Sequence, residues 1–553
     1  MFCKGYSTGS TDITCNFYSG TGNAIKKLKA DAGCSDTSSN VTLNVMKALL
    51  SMDQFKLVKG GNSLIQTVQR TINSKYEDYI GLAPCDGLYG RQMNTALIKV
   101  LQAIEGQTPE QANGNFGPTT TANLPIIPTD ESLSAKTKEE AIFLGKYALV
   151  CNGYNISVGT ATWENTLVNK IKEFQGDMFL EQTGNLDKNT WMALLLSKGN
   201  PDRSYNACDT AYTMSKEGRI EKLKEMGINI IGRYIVGDSK ILQKVSDGYD
   251  IDEIEKIVKV NGFKFFPIYQ VDGTPGTHHF TQQAAYTAAR LARIRAKSFK
   301  IPENSIIYFA VDFDAVDTEI LNIIIPYFKI IKENIGCYKV GVYGTRNVCT
   351  QVMNSKYAES CFVSDMSTGY SGNMGYKMPK DWNLDQFAEI GGIPAAGGNF
   401  AIDKVNYSGK QGLVTGLMSD KCIRGFIDDI TISSSYIMGT EREYSGNRLK
   451  LYVSATKANG DIPDGTRVVV SIKAGPNVTN PLDAVLHTVT VNPNGELKSF
   501  DDEEIYGEMC SIDYARIENG GAYYLTYEIL TPDHKPLKNG EINVHIEIET
   551  EYR

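Results

Sequence analysis

Between residues 204 and 412 the chain carries eight short apolar runs at near-regular spacing. They are "NACDT" (206–210), "INIIGRYIV" (228–236), "FKFFPIYQV" (263–271), "SIIYFAVDFD" (305–314), "YKVGVYG" (338–344), "SCFVSDMS" (360–367), "LDQFAEI" (384–390) and "AIDKVNY" (401–407). Each is rich in β-branched and aromatic residues, the composition of a buried strand. Helical segments separate the early runs: "KEGRIEKLKEMG", which stops at Gly227, then "DEIEKIVKVNG", "TQQAAYTAARLARIRAKSF" and "TEILNIIIPYFKIIKENIG". A strand followed by a helix must return parallel to its predecessor, and eight such units close into a (β/α)8 (TIM) barrel. "GGIPAAGGNF", before the eighth run, has no room for a helix, so the last quarter is expected to be irregular.

A barrel of this kind places its chemistry at the C-terminal ends of its strands. The polar residues there are Asp209 after the first run, Arg233 and Tyr234 after the second, and Tyr269, Gln270 and Asp272 after the third. Asp312 and Asp314 follow the fourth, Tyr343 the fifth, Asp365 the sixth, Asp385 and Gln386 the seventh, and Asp403 the eighth. Strand alternation puts Tyr308, Ala310, Asp312 and Asp314 on one face, with the two aspartate Cβ atoms roughly 6–7 Å apart. Like charges that close make ionising both costly. A ring of carboxylates, aromatics and a glutamine suits a sugar: carboxyl groups supply acid and base, and aromatic faces stack on pyranose rings.

The flanks read differently. Residues 1–130 alternate amphipathic helical stretches with Gly/Asn/Thr loops; in "NSLIQTVQRTINSKY" Leu64, Val68 and Ile72 recur at helical spacing. "TTTANLPIIPTDESLSAKT" reads as a linker, and residues 136–200 form a second helical unit around "TGNLDKNT". Residues 425–553 turn all-β, with alternating runs such as "TRVVVSIKAG" and "INVHIEIETEY", and predict an immunoglobulin-like β-sandwich. The fold expected is therefore multidomain: N-terminal α-helical modules, an irregular central barrel over 204–412 and a C-terminal sandwich.

The 553 residues carry a net charge of −8, which disfavours nucleic acid and anionic membranes as partners. No apolar run is long enough to span a bilayer, and "MFCKGYSTGS" lacks the apolar core of a secretory signal. The expectation is a chain that stays cytoplasmic until released or delivered by a particle. Eleven cysteines without a C-x-x-C pair fit neither a disulfide framework nor a zinc site, and the adjacent His278 and His279 do not readily chelate one ion. No metal and no cofactor is expected.

Two resemblances sharpen this. "DGLYGRQMNTALIKVLQ" and "TGNLDKNTWMALLL" resemble the turn-and-helix signature of peptidoglycan-binding-like three-helix modules, with Asp86, Gly87, Leu88, Tyr89 and Gly90 matching the turn. In the barrel, "CDT", "GRY", "PIYQ", "IYFAVDFD", "GVYG" and "DQFAE…AIDKVNY" resemble, in order, a glycoside-hydrolase-like family of bacterial cell-wall proteins related to the family 25 lysozymes. Asp314 stands where those lysozymes carry their acidic Glu, one methylene shorter, and Asp385 stands where they carry a Trp. The resemblance implies a hydrolase of amino-sugar bonds in peptidoglycan glycan strands, acting at the bacterial cell wall. Asp314 would be the proton donor, Asp312 would orient and polarise, and Asp209 and Asp403 would stabilise developing positive charge or activate water or the substrate's acetamido group. Arg233, Tyr234, Tyr269, Gln270, Tyr343, Asp365 and Gln386 would bind substrate. The competing readings are a catalytically inactive glycan-binding protein and a structural component of a phage or injection particle, partnered by other particle proteins.

Overall fold

The computed structural model describes residues 1–9, 15–236, 241–244, 250–271, 274–418 and 463, and strand backbones at 448–460, 466–474, 484–491, 497–499, 523–530 and 540–551. The chain divides into two compact units: Met1–Arg293 with Pro302–Leu417, and Ile294–Ile301 with Met418–Arg553.

Among the described residues, the N-terminal part of the first unit holds eight α-helices: α1 (Ser19–Ala32), α2 (Leu43–Leu50), α3 (Ser63–Ile80), α4 (Arg91–Ile104), α5 (Pro118–Ala122), α6 (Ala135–Cys151), α7 (Asn165–Asp177) and α8 (Lys188–Leu195). Side chains cap four of them where the sequence offers a short oxygen acceptor: Thr42 for α2, Asn62 for α3, Ser134 for α6 and Asp187 for α8. Val68 and Ile72 are fully buried on the inner stripe of α3.

One device recurs three times here. The buried Gln69 amide donates to Asp86 Oδ1 and the Leu88 carbonyl, and its own oxygen accepts from the Gly87 N–H. Gln102 does the same for the Gly114 turn and Gln175 for the Gly184 turn. All three glycines have φ between +75° and +80°, a region that excludes most side chains. The clamped turns are the "DGLYG" motif, its echo "NGNFG" and "TGNLD".

The segment expected as a linker is packed instead. Ile127 pairs with Leu186 through two backbone hydrogen bonds, and the Trp191 indole donates to the Pro125 carbonyl. Ile127 is 1% exposed, so its apolar side chain outweighs the loop character of the surrounding Pro and Thr.

The central sheet closes in sequence order: β1 (Ala207–Asp209), β2 (Ile230–Tyr234), β3 (Lys264–Tyr269), β4 (Ile306–Ala310), β5 (Lys339–Gly344), β6 (Ser360–Val363), β7 (Trp382–Ile393) and β8 (Phe400–Tyr407). Neighbours from β1 to β7 are parallel, but β8 runs antiparallel to both β7 and β1. The short "GGIPAAGGNF" connection causes this: a hairpin needs only a few residues, a parallel return a dozen or more.

Ala207, Ile230, Phe266, Ile268, Tyr308, Tyr343, Phe362, Leu384 and Val405 fill the barrel interior. Two glycines make room for its rings. A Cβ at Gly232 would lie 2.1 Å from the Phe266 ring, and one at Gly341 would lie 2.5 Å from Tyr308. Strand β4 stops at Ala310, so Asp312 and Asp314 follow the strand instead of sharing its face.

In the second unit, β9 (Arg448–Gly460) and β14 (Gly540–Glu551) pair antiparallel, and β10 (Thr466–Ala474), β11 (Ala484–Val491), β12 (Leu497–Ser499) and β13 (Tyr523–Leu530) form a sheet of order β12-β11-β10-β13. Much of the expected sandwich over 425–553 lies outside the described residues. Among the described residues, no helix is long and apolar enough to cross a membrane.

Candidate active site at the barrel mouth

Strand parity decides which polar residues enter the barrel. Ala207, Ile230, Ile268, Tyr308, Leu384 and Val405 point inward. Two residues on from Ala207, Ile268 and Leu384, toward the mouth, stand Asp209, Gln270 and Gln386, and two back from Val405 along the antiparallel β8 stands Asp403. Tyr234 packs on the same interior, as does Tyr343. Four of these residues are joined. The Tyr343 hydroxyl donates to Gln386 Oε1 at 2.8 Å, and Gln386 Nε2 donates to Asp209 Oδ2 at 2.9 Å and Asp403 Oδ2 at 3.1 Å. Asp209 and Asp403 are direct cross-strand partners.

Beside this set the Gln270 amide donates to Asp312 Oδ2 at 3.1 Å. Burial pushes the phenols of Tyr234 and Tyr343 well up, and the charges of Asp209, Asp312 and Asp403 push them further. Both tyrosines are therefore neutral hydroxyls facing three carboxyl groups. Such hydroxyls donate hydrogen bonds and do not add negative charge.

Asp314 lies further out and is held from three sides. The Ser371 hydroxyl (2.8 Å) and the Gly372 N–H (3.3 Å) donate to Oδ1, while Arg91 Nη2 donates to Oδ2 at 3.3 Å. Tyr370, on the same loop, has its phenol raised by partial burial and by the charges of Asp312 and Asp314. It is an aromatic beside both carboxyl groups.

The odd-parity candidates face the other way. Arg233 is fully buried against Glu253, with Nε 2.8 Å from Oε1, and also donates to the Thr210 carbonyl. Asp365 holds Arg346 through two hydrogen bonds of 2.7 Å, and both groups are buried. The Tyr269 ring packs on Phe309, with centroids 5.1 Å apart. Asp385 pairs with Arg203 at 2.9 Å, and that guanidinium also lies 3.6 Å from the Phe387 ring centroid. Arg233, Tyr269 and Asp365 thus brace the wall and do not line the mouth. Asp272 lies outside the described residues.

Several of these braces reach the helical region. Arg346 donates to the Ser197 carbonyl, and Ser197 donates to the Asp365 carbonyl. The Trp382 indole donates to the Asp177 carbonyl and meets Phe179 edge-on. Tyr370, Ser371 and Arg91 escape the sequence reading because no strand end carries them. The "TGYSGN" loop, an aromatic between glycines after the sixth strand, is the local signal for the first two. For Arg91 there is no local signal.

The comparisons with known proteins follow this division. Residues 221–401 match the family model of the Rv2525c-like, glycoside hydrolase-like domain, and residues 58–195 match the FadG/YbfG, PGDB-like domain. FadG of Bacillus subtilis (strain 168), an uncharacterized protein, is 38% identical over 399 residues, which cover 70% of this chain and 67% of FadG. The chain belongs to the FadG/YbfG family. YbfG, an uncharacterized protein of the same strain, is 39% identical over 425 residues, covering 74% of this chain but only 56% of YbfG. Among solved structures, the Tat-secreted protein Rv2525c of Mycobacterium tuberculosis, in complex with HEPES, matches at 18% identity and a TM-score of 0.31, covering 38% of this chain and 98% of that one. In this FadG/YbfG family member the glycoside hydrolase-like domain is the barrel that bears the carboxylate ring.

Proposed function

We propose that this protein hydrolyses glycosidic bonds between amino sugars in bacterial peptidoglycan. The observation that carries the reading is the linked set Asp209–Gln386–Asp403, with Tyr343 behind it and Asp312 beside it, at the C-terminal mouth of a glycoside hydrolase-like barrel. Glycoside hydrolysis needs one carboxylic acid to protonate the leaving oxygen and a second carboxylate at the sugar carbon that becomes positive. Asp312 takes the first role and the Asp209–Asp403 pair the second.

This reassigns the proton donor expected from the lysozyme resemblance. Asp314 accepts three donors, one of them an arginine, so both its oxygens are already engaged away from the inner ring. Asp312 accepts one amide donor and stands nearer the inward ring. Gln386 fixes the two inner carboxylates from behind. Tyr370 offers a ring for stacking on a sugar. The helical region, with its clamped "DGLYG" turn, would hold the wall while the barrel cuts.

The test is incubation of the full chain with purified peptidoglycan, followed by mass analysis of the soluble products. Disaccharide-peptide fragments with a new reducing amino sugar support the reading. Walls that sediment with the protein but release no fragment would replace it with a non-catalytic glycan-binding function.

A further inference from the structure

Arg91 is the first residue of α4 and follows directly on the "DGLYG" turn. That turn is rigid. Gln69 clamps it from below, and Asn94 Nδ2 donates both to the Tyr89 hydroxyl and to the Leu195 carbonyl, each at 2.8 Å. Tyr89 is pressed against the barrel loop: a Cβ at Gly375 would lie 3.3 Å from it. The same loop carries Tyr370, Ser371 and Gly372, which surround Asp314. The arginine is therefore delivered to the mouth by a fixed element of a different region.

Its head group is not consumed there. The Arg91 side chain is 68% exposed and spends one N–H on Asp314 at 3.3 Å, whereas a guanidinium has five. A clamp between two regions would be buried and paired through both prongs, as Arg346 is with Asp365. The ring beside it is strongly acidic, with Asp209, Asp312, Asp314 and Asp403. A substrate with a carboxylate near the scissile bond would be repelled by that ring unless a cation received it.

We propose that Arg91 is a substrate-binding residue, supplied by the helical region to the barrel mouth, that receives a carboxylate carried by the glycan, and so makes the site selective for acidic over neutral amino-sugar chains. A guanidinium pairs a carboxylate through two parallel N–H bonds, a geometry lysine cannot copy. The inference rests on the glycan reading of the mouth and adds to it a substrate class and a residue.

The test measures binding by calorimetry to the full chain carrying Asp312→Asn, which keeps the probes intact. Two probes are used: a neutral N-acetylglucosamine tetramer, and a peptidoglycan tetrasaccharide whose peptide stems end in free carboxylates. The expected result is tighter binding of the acidic probe, a loss of about tenfold for that probe alone on adding Arg91→Ala, and partial recovery with Arg91→Lys. Equal loss for both probes would make Arg91 a structural clamp, and no loss for either would make it a bystander; both overturn the inference while leaving the glycan reading standing. Failure of the Arg91-containing protein to bind either probe would remove the glycan reading, and this inference with it.

Discussion

Asp209 on β1 and Asp403 on β8 stand directly opposite each other across an antiparallel pair, and both accept a hydrogen bond from the single amide of Gln386. Side chains so placed have Cβ atoms about 4.5–5.5 Å apart, close enough for two carboxylates to repel. The arrangement exists because β8 turned back on itself. A parallel eighth strand would have aimed the other end of the strand at the mouth.

Gln386→Leu removes the shared donor and leaves the Tyr343 hydroxyl without its acceptor. Leaving buried polar groups unpaired costs about 1–3 kcal/mol, so thermal melting should shift down by several degrees. Hydrolysis should fall by about a hundredfold or more, because the carboxylates lose their fixed positions. Loss of stability without loss of turnover in the folded fraction would separate Gln386 from the chemistry.

Asp365→Asn should behave in the opposite way. The variant leaves Arg346 buried without its anionic partner, a change worth about 3–5 kcal/mol. The same guanidinium donates to the Ser197 carbonyl, so docking of the helical region on the barrel weakens too. Denaturant melts should show the loss, while turnover per folded molecule stays within about twofold. A specific fall in turnover would return Asp365 to the active site.

Parity is also where the sequence was most and least informative. The eight runs announce the barrel, and the alternation within "IIYFA" places Tyr308 on the inner side, where the structure has it. The same counting sends Arg233, Tyr269 and Asp365 outward; grouping every polar residue at a strand end as one ring overlooks it. What no local pattern carries is long-range docking. Arg91 and Asp314 are 223 residues apart, and their contact depends on how the helical region sits on the loop after β6. The direction of β8 lies between these cases, because the missing helix was visible but its consequence for strand direction needed the closed sheet.

Glu105 gives a pH-dependent signature of the helical region. Burial pushes its carboxyl up to about 8, and one oxygen has no hydrogen-bond partner. Between about pH 4.5 and 8 the folded chain keeps a proton that the unfolded chain has released. Stability therefore falls as pH rises through that window, and the cost is complete above it. Since the group is partly exposed, solvent screening reduces the effect to about 1–2 kcal/mol. Glu105→Gln should flatten this part of the stability–pH curve and raise stability at pH 8–9. An unchanged slope in denaturant titrations across the window would contradict it.

The measurement closest to the central claim is the rate at which new reducing ends appear in purified peptidoglycan, compared between the wild-type chain, Asp312→Asn and Asp314→Asn. The near-isosteric amides keep the fold while removing the proton or the charge. With Asp312 as the acid, Asp312→Asn should lower the rate by about 10²–10⁴-fold. Asp314→Asn, which loosens only the contact to Arg91, should lower it by about tenfold or less. A rate that survives in Asp312→Asn and collapses in Asp314→Asn would contradict the assignment, and a wild-type chain that produces no reducing ends would contradict the hydrolase itself.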